Sequence, residues 1–374
     1  MKKVNLLINL LMVVISSTGL SFSQPVKFFA GTYTGKDGKG LFLFDLNSEE
    51  GTFNLLSQSD AGPNPSYFCI SKKWGMIYAA NEVGKFKDIR GGGVTALRYD
   101  SKTSAIEKLG DLPVPNGGPC YISLSSDENF LFMANYSGGS AAVIKLDDKG
   151  IPVAVTDNII YKAPEGKSSH AHMISPGPSG KYIYITDLGL DRIVIYTLDP
   201  VSGKLQEIPD GIVKVTEGAG PRHFVFSSDG KKLFVICELN STIAVFDVEA
   251  TGNLKQIQTV KTLKEGFVGE SFCADIHLGK KGDFLYGSNR GENTIVTFKV
   301  GSDGKLTLAG HTTCGGAWPR NFVVDPSGKY LLVGNERSGN ISMFTIDKKT
   351  GLPQVPSKDY TIKSPACLKF SDLK

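Results

Sequence analysis

The sequence predicts an all-β chain folded as a seven-bladed β-propeller, its last blade closed by the N- and C-terminal strands. Three observations predict it. One phrase recurs six times: a strand usually led by Pro, a Ser/Asp/Gly turn, an apolar strand ending in Asn or an acid, and a third strand. Its first strands start at Pro65, Pro119, His170, Pro221, Cys273 and Pro319, spaced 54, 51, 51, 52 and 46 residues apart. Even repeats of this length, with short strands between turns, are the signature of propeller blades. The second observation is an independent count of seven turns after the third strand, from Asp45–Phe53 through Asp199–Leu205 to Asp347–Leu352. All are rich in the Gly, Asp, Asn and Ser that tight turns require. The third is period-two alternation, as in Lys232–Leu239 and Lys181–Leu188, with no helical-period apolar run outside the N-terminus.

Each element follows in order. Val26–Tyr33 and Gly40–Leu46 are strands without a first strand before them. Six full triplets follow. A further step of 46 residues from Pro319 reaches Pro365, where Pro365–Phe370 stands as a lone strand. Pairing it with the N-terminal strands completes a seventh blade and removes an open edge. No Pro/Gly/Ser-rich linker interrupts the series, so residues 24–374 are expected to form one domain.

Residues 1–23 read differently. Lys2 and Lys3 precede an apolar run from Leu6 to Ile15 and a small-residue exit at Ser21–Ser23, the layout of a secretory leader. The mature chain is therefore expected in the periplasm or outside the cell, without a membrane span. The formal charge of +4 is scattered, with no basic tract, which argues against nucleic acid as a partner. Six cysteines fit no metal spacing. They are expected to be mostly buried thiols, an exported disulfide being the alternative.

Function is legible where the repeats disagree. In a propeller the start of each first strand and the end of each second strand face one funnel. First-strand starts carry Ser66-Tyr67, Cys120-Tyr121, His170-Ala171-His172, Arg222-His223, Ala274-Asp275 and Arg320-Asn321. Second-strand ends carry Asn81-Glu82, Asn135-Tyr136, Asp187, Glu238, Asn289-Arg290 and Asn335-Glu336. Converging Arg side chains need acids or an anionic ligand beside them, and Arg suits bidentate recognition of carboxylate or phosphate. Asn81, Asn135, Asn289 and Asn335 read first as turn caps or water-binding channel lining. His277 and His311 read as structural. His170-Ala171-His172 could chelate zinc with His223 or Asp275, but three nearby Arg would oppose a cation, so neither metal nor cofactor is expected. No nucleophile motif is present, and water is the expected attacking group.

Four phrases carry a resemblance: His170–Pro176, Gly220–Thr242, Cys273–Ile295 and Pro319–Ser338. In order and density they resemble the seven-bladed propeller lactonases, which include bacterial 6-phosphogluconolactonases and fungal carboxy-cis,cis-muconate lactonising enzymes. The resemblance implies hydrolysis of a small, anionic lactone. It implies catalytic roles for His172 (or His170), Arg222, Glu238 and Arg290. Substrate contacts are expected from His170, His223, Arg320, Asn81, Asp275 and Glu336. An exported chain departs from the cytoplasmic setting of 6-phosphogluconolactone, so an unphosphorylated lactone is an alternative. A non-catalytic propeller holding an anionic glycan or peptide is the other reading.

Overall fold

The computed structural model describes residues 26–35, 40–371 and 373. The proposed leader at residues 1–23 lies outside them. Seven antiparallel sheets are arranged as blades. Blade 1 joins both ends of the chain. The C-terminal strand Pro365–Phe370 is innermost and pairs with Val26–Thr32, with Phe28 opposite Phe370 and Ala30 opposite Leu368. Leu41–Asn47 and Thr52–Ser59 complete that blade.

Blades 2 to 7 follow in chain order. Their inner strands are Pro65–Ser71, Pro119–Leu124, Ala171–Pro176, Pro221–Phe226, Phe272–Leu278 and Pro319–Val324. Their second strands are Met76–Asn81, Phe130–Asn135, Tyr182–Asp187, Lys232–Cys237, Phe284–Arg290 and Tyr330–Asn335. The inner strands begin within one residue of the predicted starts. All seven predicted turns separate third from fourth strands. Blade 2 adds a feature the repeat does not announce, a two-residue strand Lys85–Phe86 folded onto Ile89–Arg90.

The core lies between blades. Val, Ile, Leu and Phe side chains of the first three strands are buried, while outer strands such as Pro353–Thr361 alternate with solvent. Polar ties repeat at four of the seams. Tyr78, Tyr184 and Tyr286 donate to the carbonyls of Gly150, Gly252 and Gly351 in the following blade, at 2.7, 2.9 and 2.9 Å. Tyr330 reaches Ser48 of blade 1 at 3.2 Å. A buried phenol needs such a partner, and the turn supplies it. Gly150 has φ +78°, and a Cβ there would meet the Trp74 ring at 2.6 Å, so glycine is required at that seam.

All six cysteines are free and buried, and no disulfide forms among the described residues. Burial pushes the Cys69, Cys237, Cys273 and Cys367 thiols up to about 12, so the thiolate is scarce at neutral pH. We expect no thiol to react with a water-soluble disulfide reagent in the native protein and all six to react in guanidinium. A fast-reacting native thiol would show that the blade seams open.

One backbone irregularity organises the inner strands. In blades 2 to 7 the register with the second strand slips at the start of the first, as at Pro65/Tyr67, Ala171/Met173, Pro221/His223 and Pro319/Asn321. Such a bulge leaves one residue without a ladder partner and re-aims it. The skipped residues include Ser66, Cys120, His172, Arg222 and Arg320.

Candidate active site

The bulge residues and the residues just past each second strand converge on one mouth of the channel. There they line a cavity of about 240 Å³ bounded by Tyr33, Glu82, Cys120, Tyr136, His172, Arg222, Glu238, Arg290 and Arg320. Cys120, His172, Arg222 and Arg320 come from bulges. Tyr33, Glu82, Tyr136 and Glu238 directly follow second strands, and Arg290 ends one.

Glu238 is the centre of charge. Its Oε2 accepts from Arg222 Nε at 2.8 Å and lies 2.9 Å from Arg290 Nη2. Burial pushes its carboxyl up, but Arg222 and Arg290 outweigh that and hold it below the ordinary range. Arg222, 2 % exposed, also donates from Nη1 to the Ala274 carbonyl and stands 3.4 Å from His223 Nε2. Arg290 donates to the carbonyls of Phe272 and Cys273 at 3.2 and 3.0 Å. Burial and neighbouring Arg222 lower its guanidinium to about 10. A second acid–base group faces this pair. Glu82 accepts from the Tyr33 hydroxyl at 2.8 Å and from Ser66, and Arg320 lies 4.0 Å from it, above the Tyr33 ring.

His172 has a different character. It is 4 % exposed, and its Nδ1 is buried without a hydrogen-bond partner among the described residues. Burial lowers its pKa well below the ordinary value, and Arg222, His223, Arg320 and Arg290 add to the effect. It is therefore a neutral imidazole in the cavity lining, with one ring nitrogen buried and unsatisfied. With His172 neutral, the lining side chains carry one positive charge in excess, three Arg against Glu82 and Glu238.

Of the ten side chains expected from sequence, five line the cavity: His172, Arg222, Glu238, Arg290 and Arg320. The other five stand elsewhere. His170 occupies the rim, stacked on Tyr136 at 4.5 Å with Nδ1 3.0 Å from the Tyr136 carbonyl. The two rings of His170-Ala171-His172 thus take separate positions, and among the described residues no group of three His, Cys, Asp or Glu side chains is placed to hold a metal ion. His223 and Asp275 form a layer beneath the cavity. His223 Nδ1 donates to Asp275 Oδ1 at 2.7 Å, and Asp275 also accepts from His277 at 2.9 Å and from Asn321. His223 thereby presents Nε2 as an acceptor to Arg222. Asn81 turns into its blade, donating to the Ala61 carbonyl at 2.7 Å, and Glu336 lies outside the lining near Arg320.

Glu82, Cys120 and Tyr136 were placed at the funnel from sequence but given no site role, and Tyr33 was missed. The signal was the register itself. Asn81, Asn135 and Cys237 pair with Pro65, Pro119 and Pro221, so Glu82 and Tyr136 stand where Glu238 stands.

A model described as "Lactonase, 7-bladed beta-propeller" matches residues 27–370. The chain belongs to this lactonase family. It is an enzyme of lactonase type, and its relatives are similar over nearly their whole length. A 6-phosphogluconolactonase of Formosa agariphila is 31% identical over 354 residues, covering 91% of this chain and 98% of the relative. A 6-phosphogluconolactonase of Bacillus subtilis is 28% identical, covering 91% and 97%. The structure of a periplasmic gluconolactonase, PpgL, from Pseudomonas aeruginosa superposes with TM-score 0.88 and 29% identity, covering 94% of this chain and all of that one.

Proposed function

We propose that this lactonase opens a sugar lactone of the gluconolactone type with His172 as the proton-transfer group. The observation that carries the reading is the buried His172 imidazole, kept neutral by burial and by Arg222, in the lining of the cavity that holds the Arg222–Glu238–Arg290 clamp. Water attacks the lactone carbonyl, and neutral His172 accepts its proton. The carbonyl oxygen gains the negative charge, which faces the guanidiniums of Arg222 and Arg290. As the tetrahedral intermediate collapses, the ring C–O bond breaks. His172 returns the proton to the departing ring oxygen, giving the hydroxy acid. A nitrogen surrounded by Arg side chains gives up a proton readily, which suits the second step. Glu238 sets the two guanidiniums and balances their charge, its carboxylate being committed to both.

The single excess charge supports an unphosphorylated substrate. One positive charge matches one developing oxyanion or one product carboxylate, whereas a phosphate ester would add up to two more negative charges. The name of the Pseudomonas relative supports the same choice, and the names of the Formosa and Bacillus relatives support 6-phosphogluconolactone. Export is part of the proposal. It rests on the basic, apolar and small-residue order of residues 1–23 and on the periplasmic description of that Pseudomonas relative.

The test is pH-stat hydrolysis of gluconolactone, galactonolactone, 6-phosphogluconolactone and a muconolactone, each corrected for spontaneous opening. We expect kcat/KM for gluconolactone to exceed that for the phosphorylated ring. The reverse order would reassign the substrate. No turnover of any member by folded protein would remove the catalytic reading in favour of an anion-binding propeller.

A further inference from the structure

The residue before each inner strand stands at the rim, and its backbone is mostly left-handed. φ is +44° at Asn64, +73° at Gly118, +65° at Gly220 and +45° at Ser364. Glycine, Asn and small polar residues tolerate this region. In blade 7 the same position holds Trp318 at φ +67°, a strained conformation for so large a side chain. Such outliers persist where surrounding contacts over-determine them, and they cluster at functional sites. Here the backbone is pinned on both sides: Trp318 N donates to Asn293 Oδ1 at 2.8 Å, and its carbonyl accepts from Glu336 N at 3.0 Å.

The strained residue brings its indole against the active site. Arg290 Cζ lies 5.3 Å from the ring centroid, Arg337 Cζ 3.2 Å, and the Phe272 ring 6.1 Å away. Arg290 is therefore held by three blades: by the Phe272 and Cys273 carbonyls of its own, by Glu238 of blade 5, and by the Trp318 ring of blade 7. Hydrogen bonds fix the edge of a guanidinium, and a ring beneath it fixes its plane.

We propose that Trp318 is a positioning residue that sets the plane of the Arg290 guanidinium beside Glu238, kept against its own backbone preference. This rests on the lactonase reading of the cavity. The test compares Trp318→Gly with Trp318→Phe. Blades 3 and 5 already carry glycine at this position, so Trp318→Gly is expected to melt no lower than wild type. Its kcat/KM is expected to fall roughly tenfold, the scale of a buried cation–π contact. Trp318→Phe keeps an aromatic face and is expected to recover most of the activity. On an Arg290→Ala background, Trp318→Gly is expected to add no further loss. Wild-type kcat/KM in Trp318→Gly, or a loss that adds fully to that of Arg290→Ala, would overturn the proposal.

A second readout needs no turnover. The chain has two tryptophans, and Trp74 sits in a strand turn of blade 2 bonded to the Glu128 carbonyl. In a Trp74→Phe protein, Trp318 emission is expected to change when Arg290 is replaced by Ala. Unchanged emission would sink the contact itself, whereas wild type without lactone turnover would sink only the catalytic reading.

Discussion

Replacing His172 by asparagine is expected to lower kcat by a factor of about 10² to 10⁴, the usual contribution of a positioned acid–base group. Stability is expected to fall only by the lost packing of the ring on Tyr136 and His223, because the buried Nδ1 has no hydrogen-bond partner to lose. The pH profile separates this role from a packing role. A general base must be deprotonated, and burial together with Arg222 keeps the pKa of His172 well below the ordinary value. Wild-type kcat/KM is therefore expected to stay level as pH falls through about 6.5, where a free histidine titrates, and to decline only at lower pH. Removing a positive neighbour with Arg320→Gln is expected to move that decline upward. A decline that persists unchanged in His172→Asn, or full activity in that variant, would assign the proton transfer elsewhere.

Glu238→Gln is the second large effect. The amide keeps the shape but removes the charge to which both Arg222 and Arg290 are bonded. Two buried guanidiniums then face each other without a counter-ion, and one amide hydrogen points at a cation. We expect kcat/KM to fall about 10² to 10³-fold, as when one preorganised group at an oxyanion site is lost. Unfolding stability is expected to fall by about 2 kcal/mol, the scale of charge-assisted hydrogen bonds. Glu238→Asp, which retains the charge, should recover stability before activity. Equal activity in wild type and Glu238→Gln would show that the clamp is structural only.

The blades were legible because each repeats a short-range rule. Alternation gives the strands, and Gly, Asp and Asn punctuate them at fixed offsets. The closure by Pro365–Phe370 followed from counting, since the chain has one inner strand too many at one end and one too few at the other. The site was legible as a set of chemical types and only partly as positions. Arg222, Glu238, Arg290, Arg320 and His172 stood out because they are charged or titratable where a packing repeat would be bland. His223 and Asp275 looked the same by that criterion but lie one layer deeper. Asn81 looked like a lining residue and instead binds its own blade.

The sequence by itself determined the number of blades, the order of strands, the way the ring closes and the mouth at which chemistry collects, because these depend on periodicity and turn chemistry along the chain. Only the tertiary structure decided which of two neighbouring candidates in the chain enters the cavity. That choice depends on the bulge at the start of each inner strand, a slip in hydrogen-bond register between two strands. It separates His172 from His170 and Arg222 from His223. Packing of neighbouring blades likewise brings Glu82 of blade 2 within one hydrogen bond of Tyr33 of blade 1. Whether a given side chain is a neutral imidazole or a clamped counter-ion was likewise decided by burial and by neighbours from other blades, which no local pattern encodes.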